Sequence, residues 1–173
     1  MRLAIPFVLI LFLSFVLGGR LDAAGDLRIS SSIFEDHGSI PGKYTCDGAN
    51  VNPPLRIENV SPETKSLVLI LDDRDAPRGT YVHWILWNIR PDTKEIKENS
   101  VPEGAVQGIT DFKKRKYGGP CPPSRAHKYV FKIYALDIRL DLNPDSSKED
   151  VEKAMKGHVI AEAQMTGIYK RKK

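Results

Sequence analysis

Four stretches of the chain carry a strand pattern. Residues 67–71 (LVLIL) form an apolar run between Lys65-Ser66 and Asp72-Asp73, which predicts a strand buried on both faces. Residues 81–89 (YVHWILWNI) are aromatic and β-branched, with the same two-sided burial expected. Residues 128–138 alternate, with Tyr129, Phe131, Ile133 and Ala135 on one face. Residues 158–169 set Val159, Ala161, Ala163 and Met165 against Glu162, Gln164 and Thr166. Shorter strand candidates cover residues 27–31, 55–58 and 105–112.

One helix is predicted near the C-terminus. Ser147 caps it, Asp150 falls at the box position three residues later, and Val151, Ala154 and Met155 make a narrow apolar stripe. Gly157 supplies the stop. Prolines at 41, 53, 54, 62, 77, 91, 102 and 120 break the remainder into loops. Many strands, frequent turns and one helix predict a mainly β, sandwich-like antiparallel fold.

The N-terminus departs from this pattern. Met1-Arg2, an apolar run over residues 5–17 and the small residues Ala23-Ala24-Gly25 have the layout of a secretory signal peptide. The run falls short of the about 20 residues that span a bilayer, so no transmembrane span is expected in the mature form. The division is a signal peptide over 1–25 and one domain over 26–173, exported to a periplasmic, extracellular or envelope-associated location. An uncleaved anchor is the alternative. Export also makes a disulfide between Cys46 and Cys121 chemically permissible, and this is preferred to two free thiols.

The formal charge of +4 changes the picture little, because the excess is small and dispersed. The clusters at 113–116 (KKRK) and 170–173 (KRKK) lack the interleaved aromatic and glycine residues of a nucleic-acid platform, so no nucleic-acid partner is expected.

Two segments hold the candidate chemistry. The 67–71 run delivers Asp72, Asp73 and Asp75 at its end, where Pro77 turns the chain. His83 lies inside the next apolar strand, and strand parity puts it on one face with Tyr81, Ile85 and Trp87. A histidine there is either a hydrogen-bonded core residue or part of a cavity wall. The second segment runs from Gly118-Gly119-Pro120 to His127 and Tyr129. Its glycines and prolines make a stiff loop whose N–H groups could turn towards an anion; a ligand-free turn is the alternative. Ser124 lacks a nucleophile elbow, and Asp73, Asp75, His83 and His127 lack metal-ligand spacing, so neither a catalytic residue, a metal nor a cofactor is expected. The residues alone support a polar binding pocket.

DRDAP (73–77), GTYVHW (79–84), YGGPCPP (117–123) with HKY (127–129), CDGANVNPPL (46–55) and the 161–169 segment resemble the phosphatidylethanolamine-binding protein family, more closely its bacterial and archaeal Raf kinase inhibitor-like branch. The resemblance covers essentially all of the chain after residue 27. It implies a large antiparallel sheet packed on a smaller one, with few helices. It also implies a non-enzymatic pocket for a small anionic or phospho-head-group ligand, drawing on Asp73, Asp75, His83, Gly118, Gly119, Pro120, His127 and Tyr129. Since carboxylates repel an anion, Asp73 and Asp75 are expected to orient and charge His83 or to accept an ammonium group. Arg74 stands where the family usually has proline and is expected to add a cation at the rim. A protein target inhibited in the manner of a protease or kinase inhibitor is the second reading, and a pocket-based hydrolase the third.

Overall fold

The computed structural model describes residues 26–171, so the signal-peptide reading lies outside the described residues. Among the described residues nine strands and one α-helix follow the chain, besides a 3-10 turn at Gly42–Tyr44: β1 (Arg28–Ser30), β2 (Gly38–Ser39), β3 (Leu55–Glu58), β4 (Ser66–Asp73), β5 (Tyr81–Ile89), β6 (Glu95–Ile96), β7 (Val106–Gln107), β8 (His127–Leu136), α1 (Lys148–Met155) and β9 (Val159–Tyr169). They form a three-stranded sheet, β1-β3-β6, and a six-stranded sheet, β2-β9-β8-β4-β5-β7. The pairings are antiparallel except at one edge, where the two residues of β2 run parallel to β9. The mainly β, two-sheet architecture is the one expected.

The apolar pattern explains the layers. The inner face of the large sheet carries Leu67, Leu69 and Leu71 from β4 and Tyr129, Phe131 and Ile133 from β8; these meet Ile29, Leu55, Ile57 and Ile96 of the small sheet. The outer face carries Val68, Ile70, Ile85 and Trp87, and α1 covers it with Val151 and Met155. All eight residues of β4 are buried because both faces are covered, as a near-continuous apolar run requires. The cap of α1 is the predicted one: Ser147 N–H donates to Asp150 Oδ2 at 2.9 Å, and Asp150 N–H returns to Ser147 Oγ. Among the described residues no helix is long and apolar enough to cross a membrane.

Two expectations are corrected. The 105–112 candidate is a strand only over Val106–Gln107, and the following residues form the loop that returns to the sheet end. The face assignment of His83 is also wrong. Leu71 pairs with Trp84 but Asp72 pairs with Val82, so β5 holds one extra residue there, His83. This β-bulge turns His83 to the inner side, against Tyr129, and sends Ile85 and Trp87 to the outer cluster.

Candidate functional site

The acid cluster at the end of β4 divides between the two faces. Asp72 points outward and is fully enclosed, with Lys132 Nζ at 2.5 Å and Lys148 Nζ at 2.9 Å from its Oδ2. Asp73, one residue on, points inward. Its Oδ2 accepts a hydrogen bond from His127 Nδ1 at 2.7 Å, and its Oδ1 accepts one from the Asp75 N–H at 2.9 Å. Asp75 turns back and accepts the Lys128 N–H at 2.8 Å, with the Arg125 guanidinium 3.6 Å from its other oxygen. Asp73 and Asp75 therefore hold the end of β4 to the start of β8.

The expectation that an acid sits on His83 is not met: Asp73 orients His127 instead. His83 Nδ1 lies 2.7 Å from the Gly118 carbonyl, which can only accept, so Nδ1 carries a proton and donates. Gly118 N–H donates back to the His83 carbonyl at 2.9 Å. The ring is 3% exposed. Burial lowers its pKa below the ordinary 6.5, more strongly than the Gly118 bond and the charges of Asp73 and Asp72 raise it. His83 is thus neutral near pH 7, with Nε2 free to accept a proton or a hydrogen bond.

Tyr129 stands between the two histidines. Its ring meets His83 edge-on at 5.2 Å and stacks with His127 at 6.4 Å. Its hydroxyl is buried and makes no hydrogen bond of ordinary geometry among the described residues, although the Cys121 backbone and the Asp73 carboxylate lie close to it. Burial and the nearby Asp73 charge push its pKa well up, so it remains a donor.

The Gly118-Gly119-Pro120 wall is present, but its amides face elsewhere. Gly118 N–H is bound to His83, Gly119 N–H donates to Asn50 Oδ1 at 2.7 Å, and Pro120 has none. The anion-directed amides expected from the loop composition are therefore already satisfied. Gly119 admits no larger residue, because a Cβ would fall 2.6 Å from both Asn50 Oδ1 and the Tyr44 carbonyl oxygen. Behind this wall Cys46 and Cys121 form a disulfide, and Cys46 N–H donates to the Pro120 carbonyl at 3.1 Å. The turn carrying Cys46 is itself held by the Tyr169 hydroxyl, which donates to Asp47 at 2.7 Å.

The loop after β7 contributes side chains that sequence reasoning missed. The Phe112 ring meets both His83, at 5.1 Å, and Tyr81, at 5.0 Å. Asn50, which locks Gly119, lies in the CDGANVNPPL motif, where its sequence neighbours give no sign of that bond. Arg74 is not at the rim: it lines a 370 Å³ groove with Lys132, Tyr134, Glu162 and Gln164 on the outer face. Ser124 is exposed, and among the described residues no metal-ligating cluster of three His, Cys, Asp or Glu side chains occurs.

Residues 30–170 match the model of a family described as phosphatidylethanolamine-binding protein. A UPF0098 protein of Methanothermobacter thermautotrophicus is 49% identical over 150 residues, covering 84% of this chain and 99% of its own. A UPF0098 protein of Pyrococcus horikoshii is 46% identical, covering 99% of this chain and 91% of its own. The crystal structure of a phosphatidylethanolamine-binding protein homologue from Chlamydia trachomatis superposes with a TM-score of 0.82 at 38% identity, over 85% of this chain and 99% of its own. YbcL of Escherichia coli, described as a member of the mammalian family of that name, superposes at 0.80 with 28% identity, over 85% of this chain and 99% of its own.

Proposed function

The chain belongs to the phosphatidylethanolamine-binding protein family, and on that premise we propose that the His83–Tyr129–His127 cluster binds a small anionic or phosphate-bearing ligand without turning it over. One observation carries the reading: the Tyr129 hydroxyl is enclosed beside two imidazoles and makes no hydrogen bond of ordinary geometry, with the Cys121 backbone and the Asp73 carboxylate close by. A buried donor left unsatisfied costs about 1–3 kcal/mol, which a guest oxygen would recover.

The committed nitrogens define what is left for the guest. His83 and His127 each spend Nδ1 on a protein acceptor, so each presents only Nε2. Both Asp73 oxygens are occupied by internal donors, which reduces their repulsion of an anion. A neutral His83 suits an anion that brings its own proton, such as a monohydrogen phosphate, or one whose binding draws a proton onto the ring. Tyr129 then donates to a second oxygen of the same group. Asp73, Asp75 and the disulfide act as scaffold.

The test is titration with inorganic phosphate and, separately, phosphoethanolamine, following the imidazole nitrogen resonances. Both probes should shift the His83 Nε2 signal, and Tyr129→Phe should weaken binding about tenfold, the worth of one strong hydrogen bond. A response to phosphoethanolamine alone would assign recognition to the head group. No shift with either probe would overturn the reading, and hydrolysis of a phosphate ester dependent on His83 would replace it with an enzyme. The Cys46–Cys121 bridge further supports a working location that is oxidising. N-terminal sequencing of the cellular protein reads whether residues 1–25 are removed, as a signal peptide would be, or kept as an anchor.

A further inference from the structure

Phe112 has no part in the chemistry above, yet it covers the residue that the chemistry needs. Its side chain is 37% exposed, while His83 beneath it is 3% exposed. The ring meets His83 and Tyr81 edge-on, each at an interplanar angle of 81°. It also lies against Gly118, where a Cβ would overlap Phe112 Cε2 and Cδ2. The absence of a side chain at Gly118 is what lets the ring settle there.

Three aromatic rings surround His83, and they differ in freedom. Tyr129 is fully buried in β8, and Tyr81 opens β5, so moving either disturbs the large sheet. Phe112 stands on a loop whose backbone is fixed on both sides. Asp111 N–H donates to the Val82 carbonyl at 3.1 Å, and Lys113 N–H to the Thr110 carbonyl at 2.9 Å. With the backbone held, movement of the ring is a matter of side-chain rotation. A place to go adjoins it: a 170 Å³ cavity bordered by Phe112, Gly118, Asn50, Lys116 and the disulfide. An apolar cavity of about 150 Å³ accepts benzene, so this one can receive a phenyl ring.

We propose that Phe112 is the movable cover of the His83–Tyr129 site, resting on Gly118 when closed and swinging towards the disulfide cavity to admit the guest. This inference rests on the binding function proposed above for the same cluster. As cover, Phe112 also sets specificity, since the guest reaches His83 only through the space that the ring vacates.

The experiment has an arm that needs no ligand. The folded protein is treated with diethyl pyrocarbonate and the modified histidines are mapped by peptide mass spectrometry. His83 should react slowly in the wild type and about tenfold faster in Phe112→Ala, because reaction of a covered group follows the population of its open state. Gly118→Ala, which displaces the ring from the other side, should act in the same direction, and Phe112→Trp should slow the reaction. Phe112→Leu, checked by circular dichroism, replaces Phe112→Ala if that variant loses its fold. Unchanged His83 reactivity in a folded Phe112 variant overturns the cover. The second arm is association of inorganic phosphate, which should be faster in Phe112→Ala. Faster modification without phosphate binding to either protein keeps the cover and removes the binding function.

Discussion

Asp73 Oδ2 lies 2.7 Å from His127 Nδ1, and the two side chains are 6% and 2% exposed. This pair fastens the inward end of β4 to the first residue of β8 and fixes the ring that flanks Tyr129. It also changes the part assigned to the acid. Asp73 is already engaged by two donors within the protein, so its influence on a guest passes through the imidazole it orients.

Removing one member of so enclosed a pair leaves the other without its partner. Asp73→Ala should lower stability by about 3 kcal/mol, the scale for breaking a buried ion or hydrogen-bonded pair. His127→Ala should cost a similar amount, and the double variant should cost less than the sum by about 1–3 kcal/mol. Urea unfolding of the four proteins measures this coupling. Additive losses would show that Asp73 and His127 stabilise the fold independently.

The long elements were legible because burial on two faces writes an apolar run that nothing else explains. Residues 67–71, 81–89 and the alternating 128–138 segment correspond to β4, β5 and β8 for this reason. Two-residue strands such as β2 and β6 hold no period to detect. The bulge at His83 was invisible for a different reason: it inserts no glycine or proline, and parity counting assumes that every residue advances the pleat. The engaged amides of Gly118 and Gly119 depend on His83 and Asn50, which only the folded chain brings near. Phe112 ends the 105–112 strand candidate, next to the charged 113–116 cluster, and nothing in its neighbours in sequence indicates that its ring turns back onto Gly118.

The disulfide closes a loop of 75 residues and braces the wall beside His83. On the loop-entropy model its removal should cost about 4 kcal/mol. Cys46→Ser with Cys121→Ser, or reduction of the wild type with dithiothreitol, should give matching losses in denaturant midpoint. The Gly118–Cys121 amides should also exchange hydrogen faster, since the Gly118–His83 hydrogen bonds, Asn50 and the Cys46 N–H would become the segment's remaining local ties. An unchanged midpoint on reduction would show that the bridge adds nothing beyond the packing of its turn.

Arg74 offers a control on where the site lies. Its side chain lines the outer groove, on the opposite face of the large sheet from His83 and Tyr129. Arg74→Ala should leave phosphate affinity within about twofold, the spread of surface changes away from a site. Arg74→Pro should cost about 1 kcal/mol of stability, because it deletes the N–H that donates to the Lys128 carbonyl at 3.3 Å. Calorimetric titration with phosphate separates these expectations. A large loss of affinity in Arg74→Ala would move the anion to the outer face.

His83 makes the protein sensitive to acid in a definite direction. Burial holds its pKa below the ordinary 6.5, so in that interval the unfolded chain binds a proton that the folded one does not. Its contribution to stability is therefore complete above about pH 6.5, is lost as pH falls towards the folded value, and levels off below it. His83→Gln should flatten the fall in the midpoint of urea unfolding as pH drops below about 6.5. Binding should run the opposite way. A guest that accepts a hydrogen bond from a charged ring raises the pKa of His83, so affinity should grow as pH falls, by up to about tenfold per unit for one proton taken up. Sulfate is the suitable probe because it does not itself titrate in this range. Tyr81 and Tyr129, which face the ring, are pushed upward in pKa and do not titrate there either. Sulfate affinity that rises on acidification in the wild type and stays level in His83→Gln would place the proton on His83; an identical rise in both would place it elsewhere.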